Sequence, residues 1–206
     1  MKLQIDCEVE YTEGFVSKDE SAVLFRWICD HCEGLESNEI RMGDGSTFLS
    51  DTGKIMFVDP ELTDTSLFPE PHGRRVAWPP LLEALRDRLE RLTGREFNVC
   101  VCIYYRDGGV GVDFHSDLRS FGPVSYIPSI SLGAERRFSL RQREQHSDEV
   151  SLVLADGSLL IMGDGCQERY EHSLPLDPDC SEPRINLTFR PFGWPPGFVR
   201  GPRSSS

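Results

Sequence analysis

The sequence predicts a mainly β protein with flanking helices (α+β), built as a jelly roll. From Phe97 onward, short β-rich runs alternate with turn residues, the pattern of a sandwich or barrel rather than of a βαβ sheet. These runs fall near 97–105, 111–116, 127–132, 136–141, 150–154, 158–162, 169–174 and 184–190, and eight strands is the jelly-roll number. Two helical patterns precede them. The last run, Arg184-Ile185-Asn186-Leu187-Thr188-Phe189-Arg190, alternates polar and apolar residues without a break, as a strand buried on one side does.

Taken in order, Leu3, Ile5, Cys7 and Val9 alternate with polar residues and predict a half-buried strand. Ser17-Lys18-Asp19-Glu20 is a capping box that opens a helix with Val23, Leu24, Trp27 and Ile28 at helical spacing, ending by Gly34. Residues 35–54, rich in Gly, Ser, Asp and Asn, read as a long loop. Ile55–Val58 is a short apolar strand. The punctuated segment from Asp59 to Pro80 is too long for a connector, and a substrate-covering lid is its economical role. Pro79–Gly94 is a helix opened by proline and closed by glycine, with a stripe of Leu81, Leu85, Leu89 and Leu92 and arginines on a solvated face. One integrated domain is expected: residues 1–96 as support and lid, 97–192 as the jelly-roll core, and 193–206 as a loose tail.

Composition narrows the function classes. No apolar run approaches the ~18 residues of a membrane span, and no basic-then-apolar leader opens the chain, so an intracellular protein, cytoplasmic or nuclear, is expected. Seven cysteines without framework spacing fit free thiols. Cys29 and Cys32 lack a second pair at zinc spacing and read as small apolar residues at a helix end. The net charge of −12 does not advertise a nucleic-acid binder, but residues 1–73 hold 16 acids against 5 bases while residues 74–206 hold 18 against 17. A phosphate backbone can therefore approach the second half.

The chemistry-bearing residues are few. On a strand, residues i and i+2 share a face, so His115 and Asp117 project together and make half of a two-histidine, one-carboxylate metal site. Asp113 stands at the same spacing on the other side of His115, so spacing leaves the carboxylate open. His172 is the best third ligand, whereas His31, His72 and His146 lack a motif and read as surface residues. Arg184, Asn186, Thr188 and Arg190 share one face of a core strand. The two arginines stand roughly 20 Å apart along it, long enough to lean around a small dicarboxylate.

Tyr105-Arg106-Asp107-Gly108, His115-x-Asp117, Ile130-Ser131-Leu132-Gly133, Gly157–Met162, His172-Ser173-Leu174-Pro175 and Arg184-x-Asn-x-Thr-x-Arg190 occur in the order in which the AlkB family of iron(II)/2-oxoglutarate dioxygenases carries them. From about Lys54 to Phe192 the chain resembles that family. The resemblance implies a double-stranded β-helix holding Fe(II) by His115, Asp117 and His172. It further implies 2-oxoglutarate bound by Tyr105, Arg184, Asn186, Thr188 and Arg190, with O2 as oxidant. Its implied activity is oxidative demethylation of N-alkylated bases in DNA or RNA, by a monomer. Three positions depart from the pattern. Ile103 stands where base-repairing relatives have Asn, and Arg119 where they often carry an acid. The aromatics that stack on a flipped base have only Phe68 and Trp78 as substitutes. The alternatives are the same oxidation on a protein side chain or small metabolite, or a non-catalytic jelly-roll binding module. A zinc hydrolase would leave the arginines without a role.

Overall fold

The computed structural model describes residues 1–32, 35, 38–41, 47–50, 52–64, 66–67, 74–144 and 149–198, with the backbone alone for 38–41 and 47–50. Phe68, His72, His146, Gly34 and the chain after residue 198 lie outside the described residues.

The alternation at 184–190 sets the architecture. Strand β13 (Arg184–Arg190) lies between β6 (Val99–Tyr105) and β8 (Ile127–Gly133), antiparallel to both. Its odd residues, Ile185, Leu187 and Phe189, are fully buried against Leu24 and Ile28 of helix α1 (Lys18–His31) and Leu82, Leu85 and Leu89 of helix α2 (Pro80–Thr93). Its even residues face the other way, toward a second sheet. The larger sheet runs β1 (Val9–Thr12), β11 (Leu159–Met162), β8, β13, β6, β4 (Gly53–Val58) and β5 (Arg74–Ala77). The smaller runs β10 (Val150–Leu154), β9 (Arg136–Gln142), β12 (Tyr170–Leu174) and β7 (Val112–His115). Ile127, Leu160 and Met162 from one sheet meet Phe138, Leu140 and Tyr170 from the other, so the interior is a sandwich core with helices on one outer face. The jelly-roll expectation holds.

Four local readings need correction. The N-terminal strand begins only at Val9. Residue 2 bridges back to residue 10 and the amide of Leu3 donates to the Val9 carbonyl at 3.0 Å, so the chain folds back there instead of extending. Residues 35–54 are not one loop, since β2 (Asn38–Arg41) and β3 (Thr47–Ser50) form an antiparallel pair. Within 59–80, the described residues hold a 3-10 turn at Pro60–Thr63 and β5, an edge strand parallel to β4, which the punctuated sequence did not signal. Trp194 stacks at 5.1 Å on Phe198 and edge-on at 5.0 Å on Phe192, so residues 193–198 are packed rather than loose.

The helices keep their predicted caps but not all of their stripes. Ser17 Oγ accepts the Glu20 amide at 3.3 Å, and Gly94 closes α2 at φ +66°, where a Cβ would be strained. In α2 the buried residues are Leu82, Leu85 and Leu89, while Leu81 and Leu92 are exposed. Arg86, expected in solvent, is 2% exposed. It pairs with Asp59 at 3.5 Å, Glu83 at 3.2 Å and Asp87 at 2.8 Å, and its guanidinium lies 5.1 Å from the Trp78 ring centre. A partnered arginine can thus occupy a core-facing position that the apolar spacing alone does not assign. All seven cysteines are free.

Candidate metal centre

The smaller sheet brings the histidines together. His172 on β12 is in register with His115 on β7, and their ring centres lie 4.4 Å apart. Strand β7 ends at His115, so Asp117 is not carried by the ladder as its spacing implied. It is held from outside the strand: its amide donates to Gln167 Oε1 at 2.8 Å, and the neighbouring Ser116 hydroxyl donates to the Tyr170 carbonyl at 2.8 Å. One ligand atom each from His115, Asp117 and His172 lies within 4.8 Å of the others, which is close enough to share a metal ion. Asp113 takes no part in this cluster; its backbone carbonyl faces His115 Nδ1 at 2.8 Å. A carbonyl only accepts, so Nδ1 carries the proton and Nε2 keeps its lone pair for a metal.

Electrostatics prepare two of these three groups, His172 and Asp117. Burial pushes the His172 imidazole down to about 4, against the opposing pull of Asp117, so the ring is neutral at physiological pH. Burial by itself would raise the Asp117 carboxyl, but Arg190 and the two histidines outweigh it and hold the group below its ordinary value. Neutral imidazole and ionised carboxylate are the protonation states that coordinate metal. Phe138 stacks on His172 at 5.5 Å and walls that side.

The even face of β13 supplies the other half. Arg184 is 2% exposed and donates to Ser131 Oγ at 3.0 Å and Asn186 Oδ1 at 3.1 Å. Ser129 donates to the same Asn186 oxygen at 2.8 Å, and Asn186 donates to Thr188 Oγ1 at 2.8 Å. Arg190 instead pairs with the Asp117 carboxylate and reaches the Leu118 carbonyl at 3.4 Å. The two arginines therefore do not lean together: Arg190 is engaged at the metal cluster, and Arg184 stands at the far end. Among the described residues no carboxylate pairs with Arg184, whose Nε is buried without a hydrogen-bond partner. Burial lowers its guanidinium to about 10, so it is still a cation at neutral pH. Tyr105, 4% exposed, lies beneath it with the ring centre 5.4 Å from the guanidinium carbon. A cavity of about 120 Å³ is lined by both groups, from His115, Asp117 and His172 to Tyr105 and Arg184. Donor set, protonation and an uncompensated cation fit a divalent metal with an anionic co-substrate.

The expected substrate contacts fare differently. Arg119 is exposed and lies 3.6 Å from Glu168. Phe68 is outside the described residues. Trp78 is not brought to the cluster: it is packed on the helix side of the larger sheet, stacked on Phe189 at 6.1 Å, with its indole N–H donating to Asp59 at 2.8 Å. An odd-numbered β13 residue faces away from the interior, so its stacking partner does too. Sequence reasoning missed Ser129, Ser131 and Gln167. The serines were discoverable, because they alternate with Ile130 and Leu132 on a strand that neighbours the arginine strand. Gln167 has no such signal. A larger groove of about 650 Å³ lies between α1 and the Gly133–Ala134 turn, and its described lining holds none of these groups.

Comparisons with known proteins agree with this geometry. The human alpha-ketoglutarate-dependent dioxygenase alkB homolog 3 is 39% identical over 131 residues, 59% of this chain and 44% of its own length. The mouse DNA oxidative demethylase ALKBH2 is 31% identical over 195 residues, 91% of this chain and 72% of its own. The chain thus spans less than half the length of the human relative. Among solved structures, OsALKBH1 aligns with a TM-score of 0.62 at 14% identity, covering 92% of this chain and all of that one. A prolyl hydroxylase from Trichoplax adhaerens aligns at 0.57 and 12%, covering 88% and 81%. These two show the fold. The family model for the 2OG-Fe(II) oxygenase superfamily matches residues 9–190, from the first residue of β1 to the last of β13, and the chain belongs to that superfamily as an AlkB-like member.

Proposed function

We propose that this chain oxidatively demethylates N-alkylated nucleic-acid bases, with Fe(II) held by His115, Asp117 and His172 and 2-oxoglutarate held by Arg184 and Tyr105. The superfamily uses Fe(II), 2-oxoglutarate and O2. The observation that carries the reading is Arg184, a buried cation with no carboxylate paired to it among the described residues, in the cavity that the metal cluster also lines. Its free donors suit one carboxylate of a dicarboxylate whose other end reaches the metal. When bound, Fe(II) with 2-oxoglutarate and O2 supplies a two-electron oxidation that turns an N-methyl C–H into C–OH and releases succinate and carbon dioxide. The hydroxymethyl group then leaves the nitrogen as formaldehyde.

The chain's own residues orient and exclude. The Asp113 carbonyl sets the His115 tautomer, Arg190 keeps Asp117 ionised, and Phe138, Leu154 and Met162 line the cavity with apolar surface. The relatives' names, alpha-ketoglutarate-dependent dioxygenase alkB homolog 3 and DNA oxidative demethylase ALKBH2, support a nucleic-acid substrate. Arg119, two residues past Asp117 and exposed, is the candidate base contact. A guanidinium accepts no hydrogen bond, so it suits an acceptor atom on the base edge.

The test offers Fe(II)-loaded protein with 2-oxoglutarate and ascorbate methylated single-stranded DNA, methylated RNA, and a pool of peptides and metabolites. Formaldehyde and succinate should rise together with a nucleic acid, and alanine at His115, Asp117 or His172 should abolish both. Arg119→Glu should shift preference toward methylated adenine or cytosine. Absence of turnover on any nucleic acid at low salt, where phosphate attraction is greatest, would transfer the activity to a protein or metabolite substrate.

A further inference from the structure

Asp117 lies beyond the end of β7, so no strand ladder determines where its carboxylate points. Its backbone amide is instead taken by a side chain, Gln167 Oε1, at 2.8 Å. Gln167 is 6% exposed, in the short helix α3 (Cys166–Arg169), and its amide nitrogen stands 3.6 Å from Met162 Sδ. That sulfur is a weak acceptor, so the carboxamide is oriented with nitrogen toward Met162 and oxygen toward Asp117. Ser116 is tied to the same stretch, its hydroxyl donating to the Tyr170 carbonyl at 2.8 Å. Helix α3 runs directly into β12, which carries His172.

We infer that Gln167 is a positioning residue for the metal centre: it couples Asp117 to the α3–β12 segment that carries His172, and thereby sets the geometry and affinity of the metal site. The inference rests on the reading above that Asp117 is a metal ligand. Two ligands from separate segments of chain must hold their relative position without the metal, and the backbone of residues 116–117 is fastened by these two contacts. Arg190 restrains the carboxylate from its other side and reaches the Leu118 carbonyl at 3.4 Å, one residue beyond the Asp117 amide that Gln167 holds. Loss of the Gln167 acceptor also leaves the Asp117 amide without its partner. Gln167 touches no reacting atom, so it acts only through Asp117.

Cobalt(II) serves as the probe, since its visible absorption reports both binding and coordination geometry without turnover. Gln167→Met keeps the length of the side chain and removes the acceptor. Gln167→Asn keeps the carboxamide but is one methylene too short to reach. In both, the cobalt dissociation constant should rise about 10–100-fold, the usual effect of losing a group that orients a ligand, and the absorption bands should shift. At saturating metal, the 2-oxoglutarate requirement should stay at its original value, because Arg184 and Tyr105 are untouched. Near-ultraviolet circular dichroism identifies folded protein, and should the Met variant not fold, the Asn variant decides. Original cobalt affinity and spectrum in a folded variant overturn the role of Gln167. Asp117→Ala separates the two claims: if it retains the original cobalt affinity, Asp117 is not a ligand, and if it loses metal while the Gln167 variants keep theirs, only the positioning role falls.

Discussion

Arg184 and Arg190 are the same residue type on the same face of one strand, yet their neighbours give them different work. Arg190 faces a carboxylate and is the ion-pair partner of Asp117. Arg184 faces a hydroxyl and an amide, with no carboxylate paired to it among the described residues. Arg184→Ala should raise the 2-oxoglutarate requirement by roughly 10–100-fold, the equivalent of about 1.5–3 kcal/mol for a hydrogen bond to a charged group, while cobalt affinity without co-substrate stays unchanged. Arg190→Ala should weaken metal binding itself by about tenfold, because Asp117 loses the group that orients it. Titrating metal and co-substrate separately distinguishes the pair. Equal effects of both variants on co-substrate alone would restore the symmetric clamp that the spacing suggested.

At the scale of the element, helix α2 shows how a repeat of leucines leaves its face undecided. Leu81, Leu85, Leu89 and Leu92 are one acceptable stripe, and Leu82, Leu85 and Leu89 are another. The choice belongs to Arg86, whose partners Asp59, Glu83 and Asp87 draw it under the helix beside Trp78. Leu85→Ala should cost about 2–5 kcal/mol of stability, as truncation of a fully buried leucine does. Leu81→Ala, at a residue 39% exposed, should cost less than about 1 kcal/mol. Urea unfolding of the two variants reads the rotation of the helix directly, and the reverse order would return the stripe to Leu81.

For the molecule as a whole, the metal cluster joins β7, β12 and, through Arg190, the opposite sheet. An ion bound there ties β7, β12 and the Asp117 segment together in the folded state alone. Divalent metal should therefore add stability with the logarithm of its concentration, about 2.7 kcal/mol at a hundredfold excess over the dissociation constant, and raise the melting temperature accordingly. Chelation should reverse the gain, and the His172→Ala variant should show none of it. A scanning-fluorimetry series with and without chelator measures this.

The strands from β6 to β13, the polar face of β13 and the pairing of His115 with a carboxylate two residues away were legible in the chain because each depends on a short-range regularity, whereas the full set of His115, Asp117 and His172 came from the resemblance. Alternation with period two marks a face, turn residues mark strand ends, and a polar run inside an apolar strand marks a cavity. The α2 cap was legible for the same reason, since Gly94 closes the helix locally. What only the tertiary structure decided lies between segments distant in sequence. It paired Asp117 with Arg190 across 73 residues, brought Gln167 to the Asp117 amide across 50, and gathered His115, Asp117 and His172 within 4.8 Å with Asp113 outside the cluster. It also sent Trp78 to the helix side of the sheet and Arg86 beneath α2, where Asp59, from outside the helix, meets both the indole N–H and the buried charge. Periodicity carries the direction of a side chain, whereas its partner is a property of how the sheets and helices close on each other.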